Sequence, residues 1–213
     1  SLYASARPEP DGTLRGNLTV FGRGDPSFAA RFNNGDYSKS LEPLVNGIAA
    51  AGVKRMEGDL VGDESYFRGP PYGSSWNWDD LQYYYGAEVS ALTVEDNVID
   101  LVFKAGTKIG DPCLIIPSPA TTFITFLNRA KTAPKDSPRK IELYRPLAEN
   151  TVRVSGQLPL GGTNFTDAVS VHKPAAWLTA LLREALVRRG LTVSGNLKTI
   201  DWLERETNRL DLS

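Results

Sequence analysis

The chain is short of the residues that most catalytic and metal chemistry needs. It has one cysteine, Cys113, and one histidine, His172. A single thiol cannot close an internal disulfide, and this pair cannot make a zinc ligand set. The lone His172 also excludes a His-rich metal site and any mechanism that needs two histidines. No metal and no cofactor are therefore expected. Excess charge is missing too, since 24 Lys+Arg stand against 25 Asp+Glu, a net charge of −1. That balance leaves no electrostatic footprint for nucleic acid and no polybasic membrane surface. No apolar run reaches the ~18 residues of a membrane span, so no transmembrane segment is expected. The chain starts at Ser1 with no initiator Met and no signal peptide, so it reads as an excised or processed piece.

What is present is a chain of 213 residues, enough for one large domain or two small ones. Two segments have helical spacing. Leu41, Leu44, Val45 and Ile48 recur on one face, with Ser38 or Ser40 as the cap and Gly52 as the stop. Pro174 opens a second helix with the stripe Leu178, Leu181, Leu182, Ala185 and Leu186, closed by Arg188, Arg189 and Gly190. A short strand follows each helix, carrying Gly58-Asp59-Leu60 and Gly195-Asn196-Leu197; Gly16-Asn17-Leu18 repeats the pattern near the N-terminus. These read as equivalent strands of one domain.

The middle has another texture. Residues 98–103, 113–116, 122–126, 141–144 and 151–154 read as short strands between Gly and Pro turns. Residues 131–140 read as a charged, mobile hairpin. The expected fold class is α+β: a split α/β domain (a sheet with two principal helices) over 1–86 plus 172–213, carrying an inserted small all-β, sandwich-like domain over 87–171.

A serine acyl-transfer enzyme of the penicillin-binding class needs Ser-x-x-Lys, Ser-x-Asn and Lys-Thr-Gly. Ser137 to Lys140 and Ser170 to Lys173 fit the first spacing. The former lies in the charged loop; in the latter Lys173 precedes Pro174 and is pushed out of helical geometry. Ser194-Gly195-Asn196 fits the second but belongs to the strand repeat. Lys131-Thr132-Ala133 and Lys198-Thr199-Ile200 lack the glycine. No catalytic residue is assigned. The other conspicuous feature is an aromatic cluster: Tyr66, Phe67, Tyr72, Trp76, Trp78, Tyr83, Tyr84 and Tyr85. Its residues suit packing, or a platform for sugar rings or a cation.

Four stretches in order carry a family resemblance. They are Gly22-Arg23-Gly24-Asp25-Pro26 after Gly16-Asn17-Leu18; Gly58 to Phe67; Trp76-Asn77-Trp78-Asp79-Asp80-Leu81 with Tyr84-Tyr85-Gly86-Ala87; and Val152 to Pro159 with the closing helix. Together they resemble the class C low-molecular-mass penicillin-binding proteins, serine D-alanyl-D-alanine carboxypeptidases and endopeptidases. The resemblance implies a periplasmic or extracytoplasmic place and peptidoglycan stem peptides as substrate. It also implies that this chain is the accessory insertion of such an enzyme, inactive alone, with all three catalytic motifs outside it. An acidic residue of that region meets the diaminopimelate side chain of the substrate, and it resembles Asp63, with Phe67 over the aliphatic part. The alternative is a stand-alone glycan- or protein-binding module that uses the aromatics from Trp76 to Tyr85.

Overall fold

Three copies of one short pattern build the first sheet. The computed structural model describes residues 1–210. Its strands in chain order begin with β1 (Leu2–Ala4), β2 (Thr13–Leu14), β3 (Leu18–Phe21), β4 (Arg55–Met56) and β5 (Leu60–Asp63). Then come β6 (Val98–Lys104), β7 (Leu114–Ser118), β8 (Thr125–Asn128), β9 (Lys131–Ala133), β10 (Lys140–Tyr144), β11 (Thr151–Pro159) and β12 (Phe165–Ser170). Last are β13 (Thr192–Val193) and β14 (Leu197–Ile200).

β3, β5 and β14 run parallel, with Leu18 opposite Leu60 and Leu60 opposite Leu197; β1 is antiparallel on the outer edge of β3. Each position of the repeat has a physical job. Glycine lets one strand entry lie against the next: a Cβ at Gly58 would overlap the Gly16 carbonyl, and one at Gly195 the Gly58 carbonyl. The amide or acid then ties neighbours together. Asn17 Oδ1 accepts from the Asp59 N–H and Asp59 Oδ1 accepts from the Asn196 N–H, both at 2.9 Å. The leucines turn inward, Leu18 and Leu60 being buried. A second small parallel sheet has the order β13-β4-β2.

Two helices cover these strands. α1 (Glu42–Ala50) buries Leu44, Val45 and Ile48. α2 (Pro174–Arg188) packs on β5 and β14 and wholly buries Trp177, Leu178 and Leu182, each worth roughly 1.5–3 kcal/mol of transfer free energy. Pro174 starts α2, and Lys173 before it is in the left-handed region at φ 60°. Gly190, at φ 91°, ends it, and the Leu191 N–H returns to the Leu186 carbonyl.

Local details differ from the sequence expectation. Neither serine caps α1. Leu41 takes the cap position without a side-chain bond, and Ser40 Oγ instead donates to Glu95 Oε1 at 2.8 Å. Pro43 at the second helical position removes one N–H that a cap would have had to satisfy. A third helix, α3 (Trp202–Leu210), was not expected. Asp201 and Glu204 form its capping box: Asp201 Oδ1 accepts from the Glu204 N–H, and Glu204 Oε2 from the Asp201 N–H.

The rest is all β. One sheet has the order β10-β11-β8 with β9 also on β11, and another the order β12-β6-β7. Side chains alternate along β6, where Ile99, Leu101 and Phe103 are buried and Asp100 and Lys104 exposed. β9 lies inside the expected mobile hairpin. It is held because Thr132 and Ala133 are buried and residues 131–133 pair with residues 157–159 of β11.

The architecture is mixed α+β, in two compact units. One comprises residues 1–71, 89–96 and 173 onward; the other comprises 72–88 and 97–172. The sequence puts the first break after residue 86. In the structure residues 72–88 go with the β unit, because the Leu81 carbonyl accepts from both Arg145 and Ser170 and Gln82 Oε1 accepts from the Arg145 N–H. Residues 89–96 return to the first unit, where Glu95 accepts from the Ala30 N–H and Ala91 from the Gly24 N–H.

Candidate functional site

Asp63 ends β5 and is 5% exposed. Its Oδ1 accepts from the Ser65 N–H at 3.0 Å, an Asx turn that aims the chain after the strand. Its Oδ2 meets Arg205 Nη1 at 2.5 Å, and the same nitrogen donates to Ser65 Oγ at 3.1 Å. Arg205 is the exposed half of the pair, with 47% of its side chain open against 7% for Asp63. Its guanidinium also lies over the Phe21 ring, 5.3 Å from the centroid. Phe21 touches Tyr66 edge-on at 6.2 Å, and Tyr66 touches Phe67 at 5.8 Å. Phe67 is partly exposed and sits above Gly24, where a Cβ would strike its ring. Gly24, at φ 79°, thus has two reasons to be glycine. Asp25 beside it is held below the usual carboxylate range, first by the Ser27 backbone N–H and then by its hydroxyl. Asp63 and Phe67 therefore lie in one acid, base and aromatic surface of the first unit.

Arg205 belongs to this surface and was missed. Its helix has a legible signal in Asp201 and Glu204 three residues apart; its partner, 142 residues away in sequence, has none.

The β unit has a second polar cluster, also missed. Glu88, 6% exposed, accepts from Tyr72 Oη at 3.0 Å, and His172 Nδ1 lies 2.6 Å from the same oxygen. Asn150 brackets His172, accepting from its N–H and donating to its carbonyl, both at 2.9 Å. Asn97 Nδ2 donates to the Glu88 carbonyl. Burial, then the charge and hydrogen bond of Glu88, push the Tyr72 phenol up to about 12, against the weaker pull of Arg145. The folded chain thus keeps this proton more tightly than the unfolded one. Its contribution to stability is complete below pH ~10 and is lost as pH rises from about 10 to about 12. Tyr72 is partly exposed, so solvent screening trims the effect to about 1 kcal/mol. Tyr72→Phe should flatten the alkaline fall in the urea midpoint by that amount. Identical falls in both chains would rule out this tyrosine as the source.

Ser170 and Ser194, two of the three serines at motif spacing, have structural partners for their hydroxyls. Ser170 is fully buried, donates to the Leu81 carbonyl at 2.6 Å and accepts from Arg145. Lys140 is on β10 with its ammonium 2.6 Å from Glu142, whose hydrogen bond and then charge raise the lysine pKa. Ser194 donates to the Met56 carbonyl. Among the described residues no group of His, Cys, Asp and Glu could hold a metal ion, and no helix is long and apolar enough to cross a membrane.

The fold is shared with penicillin-binding protein 4 (dacB) from Haemophilus influenzae, whose crystal structure matches with a TM-score of 0.70 at 22% identity, over 90% of this chain and 40% of that one. A second crystal structure of that protein, complexed with a novel β-lactam, gives 0.65 at 18% identity, over 94% and 40%. These two likenesses establish the shared fold. The chain belongs to the D-Ala-D-Ala carboxypeptidase 3 (S13) family, whose pattern it matches over residues 3–209. It is 31% identical over 214 aligned positions to a D-alanyl-D-alanine carboxypeptidase of an Actinomadura species, covering 96% of this chain and 38% of that protein. It is 24% identical over 188 positions to D-alanyl-D-alanine carboxypeptidase DacB of Haemophilus influenzae, covering 88% and 37%. The chain thus spans less than two fifths of the length of these curated relatives.

Proposed function

We propose that this chain is the accessory, non-catalytic region of a serine D-alanyl-D-alanine carboxypeptidase or endopeptidase. The longer enzyme cleaves peptidoglycan stem peptides outside the cytoplasm through a serine acyl-enzyme. The observation that carries this reading is the state of Ser170. A hydroxyl that is fully buried and bonded to Leu81 and Arg145 cannot reach a peptide carbonyl. Lys140, held protonated by Glu142, is likewise unsuited to act as a base for Ser137. The two units act in this proposal as a helix-bearing accessory domain and an inserted β domain.

The role of this region is to shape the pocket for the substrate side chain. Diaminopimelate ends in an ammonium and a carboxylate. Asp63 and Arg205 present the complementary pair, and Phe67 covers the aliphatic stem. Binding exchanges partners: the substrate ammonium takes the place of the guanidinium on Asp63, and the substrate carboxylate takes the guanidinium. Truncating a buried pair costs about 2–5 kcal/mol, but an exchange at a half-open site falls to about 1–2 kcal/mol. In the longer enzyme, Asp63→Asn should lower kcat/KM roughly 5- to 30-fold on a peptide with the diaminopimelate ammonium. A peptide without that ammonium should change little. Equal losses on both peptides, or none on either, would leave Asp63 as a turn residue only.

A further inference from the structure

The segment from Trp76 to Gly86 is tied down by hydrogen bonds yet exposes its aromatic side chains. Two short 3-10 turns, Asp80–Gln82 and Tyr84–Gly86, follow one another. They are fixed from below. Arg145, 4% exposed, donates to the Leu81 carbonyl at 2.6 Å, and Gln82 accepts from the Arg145 backbone. Gly86 approaches the Asp80 carbonyl so closely that a Cβ would overlap it, and the Asn77 N–H is held by Asp80 Oδ2 at 2.9 Å. On this support Trp78 is 68% exposed, Tyr84 69% and Tyr85 51%. Tyr83 stacks on Tyr85 at 5.5 Å with an interplanar angle of 19°, and Tyr84 meets Tyr85 edge-on at 5.2 Å. Asp79 and Asp80 lie close enough to add to the partial desolvation that raises the Tyr85 phenol. Among the described residues neither carboxylate enters an ion pair with Lys or Arg.

We propose that Trp78, Tyr83, Tyr84 and Tyr85, with the Asp79 and Asp80 carboxylates, form a shelf that binds the glycan backbone of the cell-wall polymer. The choice of glycan rests on the proposed function, since stem peptides are borne on that polymer. The chemistry matches a pyranose ring on two counts. Its axial C–H face packs on flat aromatic faces, and its hydroxyls need acceptors at the rim, which the two carboxylates and the tyrosine hydroxyls supply. Fixing the loop in advance removes ordering entropy from binding. A shelf open to solvent on one side binds weakly, with a Kd on the order of 1 mM for a short oligomer.

The test titrates this chain with the tetramer of N-acetylglucosamine, and separately with tetralysine, following tryptophan fluorescence and amide shifts. Saturable sugar binding that maps to residues 76–86, weakened at least about tenfold in a Trp78→Ala/Tyr84→Ala variant, is the expected result. Both side chains are exposed, so an unchanged urea midpoint shows that the variant is folded. No sugar binding, sugar binding that the variant keeps, or shifts at this shelf with tetralysine alone would overturn the proposal, the last in favour of a cationic protein partner. Because the ligand carries no peptide and the reaction is not followed, failure here is separable from failure of the accessory-region reading.

Discussion

Arg145→Met is expected to destabilise the β unit by about 3–5 kcal/mol, the largest loss of any single substitution considered for this chain. Arg145 is 4% exposed, and its guanidinium spans several acceptors at once: the Leu81 carbonyl, Ser170 Oγ and the Glu149 carbonyl at 2.6, 3.0 and 3.0 Å, with a longer approach to Pro146. Burial lowers its pKa, and the charge of Glu88 and then Tyr72 works against that. Methionine keeps the aliphatic volume and removes every donor. Ser170 can still serve Leu81, but the Glu149 carbonyl loses its partner and Glu88 loses a nearby positive charge. The bond from the residue 145 backbone N–H to Gln82 Oε1 survives, so residues 72–88 loosen without detaching. Arg145→Lys should fall between the two, since a compact ammonium cannot span the same set of acceptors. Amide hydrogen exchange under urea, read over residues 72–88 and 97–172, measures the loss. A change below about 1 kcal/mol for the methionine variant would show that the network is decorative.

What the sequence made legible was local. The Gly-Asn-Leu and Gly-Asp-Leu repeat points to three equivalent strands because one steric demand and one side-chain-to-backbone bond recur at both junctions between neighbouring strands. α2 was plain from Pro174, its apolar stripe and Gly190, since each signal acts within a turn or two. The cap of α1 was misplaced because two serines compete for the position and the structure gives it to neither; Ser40 is claimed by Glu95, 55 residues away. β12 has no clear strand signal because Thr166, Asp167 and Ala168 dilute its apolar alternation. α3 was missed although its Asp201 and Glu204 box stood in the sequence, and with it went Arg205. Asp63 and Phe67 are named through the family resemblance, and composition or spacing alone does not single them out. The Tyr72, Glu88 and His172 cluster rests on a contact between residues 84 positions apart, His172 and Glu88, and only the fold brings them together.

The largest difference in outcome concerns covalent chemistry. A β-lactam acylates a serine only where a base removes the hydroxyl proton and an oxyanion hole receives the developing charge. In this chain the proton of Ser170 is spent on the Leu81 carbonyl and that of Ser194 on the Met56 carbonyl, and Lys140 is paired with Glu142. On the proposed reading, the serine–lysine, serine–asparagine and lysine–threonine–glycine motifs belong to the rest of the longer enzyme. That enzyme should take up a stoichiometric acyl group and this chain none. The most direct measurement is incubation of the purified chain with a fluorescent penicillin, followed by denaturing electrophoresis and intact mass. No covalent adduct is the predicted result, and a penicilloyl adduct mapped to a serine of this chain would contradict the account.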